Sequence, residues 1–287
     1  MPTFETPDPI SVQIGIAAGD VELRADDRTD TVVEVRPSNG SEASRRAAEE
    51  TEVDYSGGKL QIRGPKPRRR LFGKQKNVET TSDESIHITI ALPAGSRVQG
   101  DAAVGSVDGQ GRLGSFRFES GCGDIHLEET AGLRLEAGLG NVTIKRVLGD
   151  VDITVAQGKL RIADVDGSAT IENLSGVTKV GHVSRGLTLN ATNGDVSVGR
   201  ADADVKIKNA NGDIHVSEVT RGSVTLETAH GSIEVGVHED SAAYVDAHAL
   251  VGGVRNALNS ADGPGASEET VRLHLRTLVG QIDIHHS

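Results

Sequence analysis

The sequence predicts an all-β fold: a parallel β-solenoid (β-helix or roll) with coils of about 18 residues, two strands to a coil, irregular N- and C-terminal caps and one short helix. Three observations lead there. Glycine recurs at Gly105, Gly123, Gly140, Gly158, Gly176, Gly194, Gly212 and Gly231, at steps of 18, 17, 18, 18, 18, 18 and 19. Apolar residues follow two and four places later, as in Val196/Val198, Ile214/Val216 and Ile233/Val235. Aromatic residues are only 2% of the chain, with no Trp and 35 Gly, which suits a narrow core of Val, Ile, Leu and Ala.

A second glycine series half a period later, at Gly114, Gly132, Gly149, Gly167, Gly186 and Gly222, divides each unit into two halves. Each half carries one period-2 alternation, Leu187/Leu189 or Val205/Ile207 for example, the mark of a strand with one buried face. A lone unit buries too few aliphatic side chains to offset the ordering of its backbone, so the units must stack and share ladders. About eight coils would span roughly 40 Å at about 4.8 Å per strand. A left-handed hexapeptide helix needs a six-residue period, and a calcium-binding nonapeptide roll needs Gly-Gly-x-Gly-x-Asp turns; the sequence has neither. A sandwich of antiparallel hairpins turning at Asn193-Gly194 and Asn211-Gly212 is the competing arrangement.

Along the chain, residues 1–104 read as an N-terminal cap, 105–237 as the regular coils and 238–287 as a C-terminal cap, all in one continuous domain. Apolar alternations at Ile10–Ile16, Val21–Leu23 and Val33–Val35 are strands of a terminal coil that covers the open end. Residues 41–50 form the helix, with Ser41 as cap and Ala47 and Ala48 supplying propensity. Val53–Tyr55 and Leu60–Ile62 pair as a hairpin about Gly57-Gly58. After Val237 regularity fades. Residues 243–250 suit a strand or a short helix, 259–267 a Gly/Pro loop, and Val271–Leu275 and Ile282–Ile284 closing strands.

Residues 65–76 break the pattern with six basic residues and no acid, while the chain as a whole carries −12. Lys66, Arg68, Arg69, Arg70, Leu71, Phe72, Lys74 and Lys76 are therefore the candidate partner-binding residues, Phe72 supplying the aromatic that contact hot spots favour. Long loops of this kind are functional or simply solvated. The acidic balance argues against nucleic acid as a general partner. The expected partner is an acidic protein surface or a second copy of the chain; no small-molecule substrate and no cofactor are expected.

The repeated turn–strand units Thr192-Asn-Gly-Asp-Val-Ser-Val198 and Ala210-Asn-Gly-Asp-Ile-His-Val216, with the closing Leu278-Val-Gly-Gln-Ile-Asp-Ile284, resemble a bacterial β-strand-repeat family labelled putative adhesin, a domain of unknown function common in actinobacteria. The resemblance covers roughly residues 10–285. It implies a β-solenoid and no enzymatic activity, and it assigns no functional residues.

Other constellations have plain structural readings. Asp124, Asn141, Lys159, Asp195 and Asp213 share the place after the repeat glycine; stacked carboxylates could hold Ca²⁺, but turn chemistry is the simpler role. Glu119, Glu136, Glu172 and Glu227 form an outward acidic column, broken by Thr154, Asn190 and Lys208, on a chain that lacks the aromatics carbohydrate sites use. His126, His215, His285 and His286 lack zinc-ligand spacing, and Cys122, alone, reads as a small buried or half-buried turn residue. No catalytic and no metal site is expected. Without a basic, apolar leader or a membrane-length apolar run, the expected address is the cytoplasm. The expected function is a non-catalytic scaffold or protein-interaction module. The alternatives are a solenoid that polymerises end to end and a polysaccharide-active β-helix enzyme.

Overall fold

The structure is a computed structural model that describes residues 1–65, 84–258 and 269–287. The basic residues Lys66, Arg68, Arg69, Arg70, Leu71, Phe72, Lys74 and Lys76 and the Gly/Pro loop at 259–267 lie outside the described residues. The chain divides into two compact units, Met1–Gly140 and Asn141–Ser287, each wound as a parallel β-solenoid.

The first unit contains β1 (Thr3–Glu5), β2 (Ser11–Asp26), β3 (Asp30–Pro37), α1 (Glu42–Glu49), β4 (Glu52–Ser56), β5 (Lys59–Arg63), β6 (Ile86–Pro93), β7 (Arg97–Val104), β8 (Val107–Cys122) and β9 (Ile125–Leu139). Strand β2 turns a corner at Gly19, where φ is 152°, and so serves two sheets. Its first half lies parallel between β5 and β7, with Val12 opposite Leu60 on one side and Val98 on the other. Its second half lies between β6 and β8, with Val21 opposite Ile88 and Val107. Strand β8 then pairs with β7 and with β9. The inward residues Val12, Ile14, Leu23, Leu60, Ile62, Ile88, Ile90, Phe116 and Phe118 are buried, and the Phe116 and Phe118 rings stack 5.7 Å apart.

The Ile10–Ile16 and Val21–Leu23 alternations, on β2, therefore belong to an internal coil rather than to the terminal cover, whereas Val33–Val35, on β3, does lie in the outer cover. An inward face that is apolar on both halves of β2 needs a neighbour on each edge. Antiparallel strands close the unit instead: β3 on β6, β1 on β3 and β4 on β5. These edge strands carry acids, Glu52 and Asp54 on β4 among them, which discourage further pairing. The helix forms as its residues require, the Ser41 side chain accepting the Ser44 N–H at 3.0 Å, with Ala47 buried.

The second unit holds two parallel ladders. One comprises β10 (Val142–Val147), β12 (Leu160–Val165), β14 (Thr178–Val183), β16 (Val196–Ala201), β18 (Ile214–Val219) and β20 (Ile233–Val237). The other comprises β11 (Val151–Gln157), β13 (Ala169–Ser175), β15 (Leu187–Asn193), β17 (Val205–Asn211) and β19 (Gly222–His230). Partners are the residues one repeat apart: Val196 opposite Ile214, Val198 opposite Val216, Leu189 opposite Ile207. This register excludes the antiparallel hairpin sandwich. Val198, Val216, Leu189 and Ile207 are all fully buried.

Chain order and spatial order part company at the end of this unit. The remaining strands are β21 (Ser241–Val251), β22 (Val254–Asn256), β23 (Glu269–Val279) and β24 (Ile282–His286). Strand β23 inserts between β19 and β21, and β24 between β20 and β22. Residues 243–250, ambiguous in sequence, are strand. The last strands of the chain are thus a penultimate coil. Their inward Val271, Leu273, Leu275, Ile282 and Ile284 are buried, whereas Val245 of β21 is 37% exposed.

The corners explain the two glycine series. Every member of the first has positive φ, between 132° and 155°, a region that side-chain-bearing residues rarely adopt. In the second series only Gly222 does; Gly167 is glycine because a Cβ there would meet the Gly149 carbonyl oxygen at 2.3 Å. A buried polar column props these corners: Asn209 Nδ2 donates to the Gly194 carbonyl at 2.9 Å, Thr228 Oγ1 to Gly212 at 3.1 Å and Thr277 Oγ1 to Gly231 at 2.9 Å.

Candidate functional site

In β14 and β16, stacked on β10 and β12, the backbone closes in where the residue is glycine. A Cβ at Gly181 would meet the Ala163 carbonyl oxygen at 2.3 Å, and one at Gly199 the Gly181 oxygen at 2.4 Å. The next residue on each strand then points outward, one above the other: Arg146, Asp164, His182, Arg200 and Glu218. Charges of both signs line this column, with an acid next to each arginine. Arg146 Nε lies 3.3 Å from Asp164 Oδ2, and Arg200 Nη1 lies 3.4 Å from Glu218 Oε1.

His182 sits at the centre. Its Nδ1 is 2.9 Å from Asp164 Oδ1 and its Nε2 is 2.9 Å from Asp202 Oδ2, the latter from the turn after β16. Both bonds are satisfied together only when both ring nitrogens carry protons. The hydrogen bond to Asp202, then that to Asp164, accordingly raises the His182 pKa above its ordinary 6.5. For Asp202 burial pulls the pKa upward, but hydrogen bonds from His182 and from Arg200, at 2.7 Å, outweigh it and hold the carboxyl below 3.8. The arrangement is a proton-dependent clamp on the sheet surface: both hydrogen bonds are made together only in the protonated form of the histidine.

The sign of its pH dependence follows. Stability from a raised histidine pKa is fully present below pH 6.5 and is lost as pH rises through the folded-state value; that from Asp202 is lost as pH falls through its lowered value. The thermal midpoint of the native chain is expected to fall between about pH 6 and about pH 9 by more than that of His182→Gln. Parallel profiles for the two proteins would contradict the assignment.

The columns foreseen in the sequence are present, with altered roles. The residues after the repeat glycine tie one coil to the next: Asp195 Oδ1 accepts the Asp213 N–H at 3.0 Å, Asp213 Oδ1 the Ser232 N–H at 2.7 Å, and Asn141 Oδ1 the Lys159 N–H at 3.2 Å. They cap a neighbouring coil rather than their own turn. Glu119 and Glu136 are in register in the first unit, beside Asp101. In the second unit Glu172, Asn190, Lys208 and Glu227 form one column, where Lys208 Nζ lies 2.8 Å from Glu227 Oε2. His215 and His285 both contact Glu234, at 3.0 and 3.3 Å. Cys122 is exposed, not buried or half-buried as its turn position implied, because it ends β8 with its side chain outward. Among the described residues, no group of three or more His, Cys, Asp or Glu is placed to hold a metal ion, and no helix is long and apolar enough to cross a membrane.

The His182 column was legible at the repeat spacing, since 146, 164, 182, 200 and 218 differ by 18 throughout. Reading outward positions only one and three residues after the glycine passes over it, because the bend comes later in the strand. Asp202 has no such signal. It lies 20 residues from His182 and reaches it from a turn.

Among solved structures the chain is similar to a putative cell adhesion protein from Clostridium sporogenes, at 12% identity and TM-score 0.26, over 100% of this chain and 98% of that one. It is likewise similar to a putative adhesin from Bacteroides fragilis, at 12% identity and TM-score 0.26, over 99% and 95%. No curated protein matches the chain. The Toastrack DUF4097 family model matches residues 10–285, the regular coils at 105–237 lying within that span, and the chain belongs to that family.

Proposed function

We propose that the chain is a non-catalytic, adhesin-like interaction module: a stiff β-solenoid scaffold that presents columns of charge to a protein partner. The observation that carries this reading is the Arg146–Asp164–His182–Arg200–Glu218 column. Its side chains are held at fixed spacing by the backbone register and engage one another, which makes a patterned surface of low conformational entropy, suited to recognition. The Glu column weighs against a polysaccharide-cleaving groove, because its Glu227 is paired with Lys208. A cytoplasmic setting belongs to the same proposal, supported by the exposed free thiol of Cys122, which a reducing compartment preserves.

The basic residues Lys66, Arg68, Arg69, Arg70, Lys74 and Lys76, with Leu71 and Phe72, are the proposed docking element, by their charge against an otherwise acidic chain. Replacing Arg68, Arg69 and Arg70 together by alanine is expected to remove one or more specific partners from the set that co-purifies with the native chain. An unchanged partner set would sink the docking role.

A further inference from the structure

We propose that β21 is the contact through which two copies of this chain close into a two-fold dimer. Among the described residues β21 has a neighbour on one side only, β23, and β22 likewise has only β24. Strand β21 is 11 residues long and reads Ser-Ala-Ala-Tyr-Val-Asp-Ala-His-Ala-Leu-Val. It has no proline and no lysine, the usual protection of an exposed edge. Its apolar residues are correspondingly open to solvent: Val245 is 37% exposed, Tyr244 56% and Leu250 77%, whereas the stacked Leu273 one strand inward is fully buried. Water can solvate this row of backbone groups in the free chain, but the row is also a ready template for an added strand, so the occupant that fits it is extended chain.

A second copy fits this edge in a way that the residue order itself specifies. A two-fold axis normal to the sheet makes β21 run antiparallel to its counterpart and pairs residues of like facing. With the axis at Ala247, Asp246 faces the partner's His248 and His248 faces the partner's Asp246. Inward, Val245 faces the partner's Ala249 and Ala243 the partner's Val251, while outward Tyr244 faces the partner's Leu250. An acid meets a histidine twice, and apolar meets apolar at the other positions. Within one chain Asp246 Oδ1 already lies 2.9 Å from His248 Nε2, and Asp246 Oδ2 lies 3.3 Å from His274 Nδ1. The acid therefore sits among His248, His274 and Arg276, a set that an incoming strand would extend.

Among the described residues, head-to-tail growth has no acceptor strand as long as β21. In the first unit the edges of β5 and β6 are taken by β4 and β3, leaving the acidic five-residue β4 and the three-residue β1 as outer strands. The contact is self-complementary and closes on itself, which separates this inference from an open polymer.

Sedimentation velocity of the full chain across a concentration series tests it. A reversible step from 30.0 kDa to twice that mass is expected. His248→Asp places acid against acid twice and should weaken the dimer about tenfold, and Asp246→His, which places histidine against histidine, should do likewise. Mixing the two variants restores both complementary pairs and should restore association, which also shows that each variant is folded. A monomer at every concentration, open-ended filaments, a dimer indifferent to His248→Asp, or no rescue on mixing would each overturn the proposal.

Discussion

Gly212→Val is expected to unfold the second unit, while Gly186→Ala is expected to leave it intact. Gly212 turns the corner between β17 and β18 at φ 137°, and a Cβ built on it would stand 2.3 Å from the Gly194 carbonyl oxygen and 2.6 Å from its carbon. Those atoms are backbone, and they cannot yield. Gly194 N–H donates to the Asn211 carbonyl at 2.9 Å, and Gly212 N–H to that of His230 at 2.8 Å, so relieving the clash means parting three coils. Backbone strain alone costs on the order of 1–3 kcal/mol, and the overlap adds to it. At Gly186 a Cβ would have no atom nearer than Asp204 O at 3.9 Å, and φ is not positive. Alanine there should change stability by less than about 1 kcal/mol. Denaturant unfolding of the two variants measures both effects, and similar losses would mean that the corners are not stacked as described.

That contrast also marks what the sequence could convey. Both positions look alike in the chain, as glycines opening an alternation of Leu or Ile with polar residues. They differ in whether the corner places another glycine's carbonyl directly beneath. The strands were legible because inward pairs such as Val196/Val198 and Ile214/Val216 repeat with the period of the coil, and a period-2 pattern admits only one facing. The parallel register followed from the same spacing.

The order of coils was not legible, for a physical reason. Strand β2 pairs with β7 at separations of 86 residues, as Ser11 opposite Arg97, and with β5 at 48, as Ser11 opposite Lys59. Periodicity reports neighbours within the regular array and is silent about a strand that lacks the repeat. The same holds at the other end, where β23 enters ahead of β21 although it follows it in the chain. At the C-terminal end the strand with the more apolar inward face, β23 with Val271, Leu273 and Leu275, takes the doubly flanked position. Burial, rather than sequence order, decides which coil is terminal. The exposed edge of β21 follows from that choice and could not have been found from the alternation of its residues.

The central claim is that residues one repeat apart are directly stacked, and a pair of engineered cysteines tests it most directly. Thr170 and Thr188 are outward-facing partners on the adjacent parallel strands β13 and β15. Their Cα atoms should lie about 5 Å apart, within the range that a disulfide spans. In a Cys122→Ser background, Thr170→Cys with Thr188→Cys is expected to form an intramolecular disulfide to near completion under mild oxidation, read by mass spectrometry after blocking free thiols. Thr170→Cys with Lys179→Cys, half a repeat apart and on opposite ladders, should stay reduced. Efficient bridging of the half-repeat pair, with the full-repeat pair left as free thiols, would contradict the stacked-coil structure.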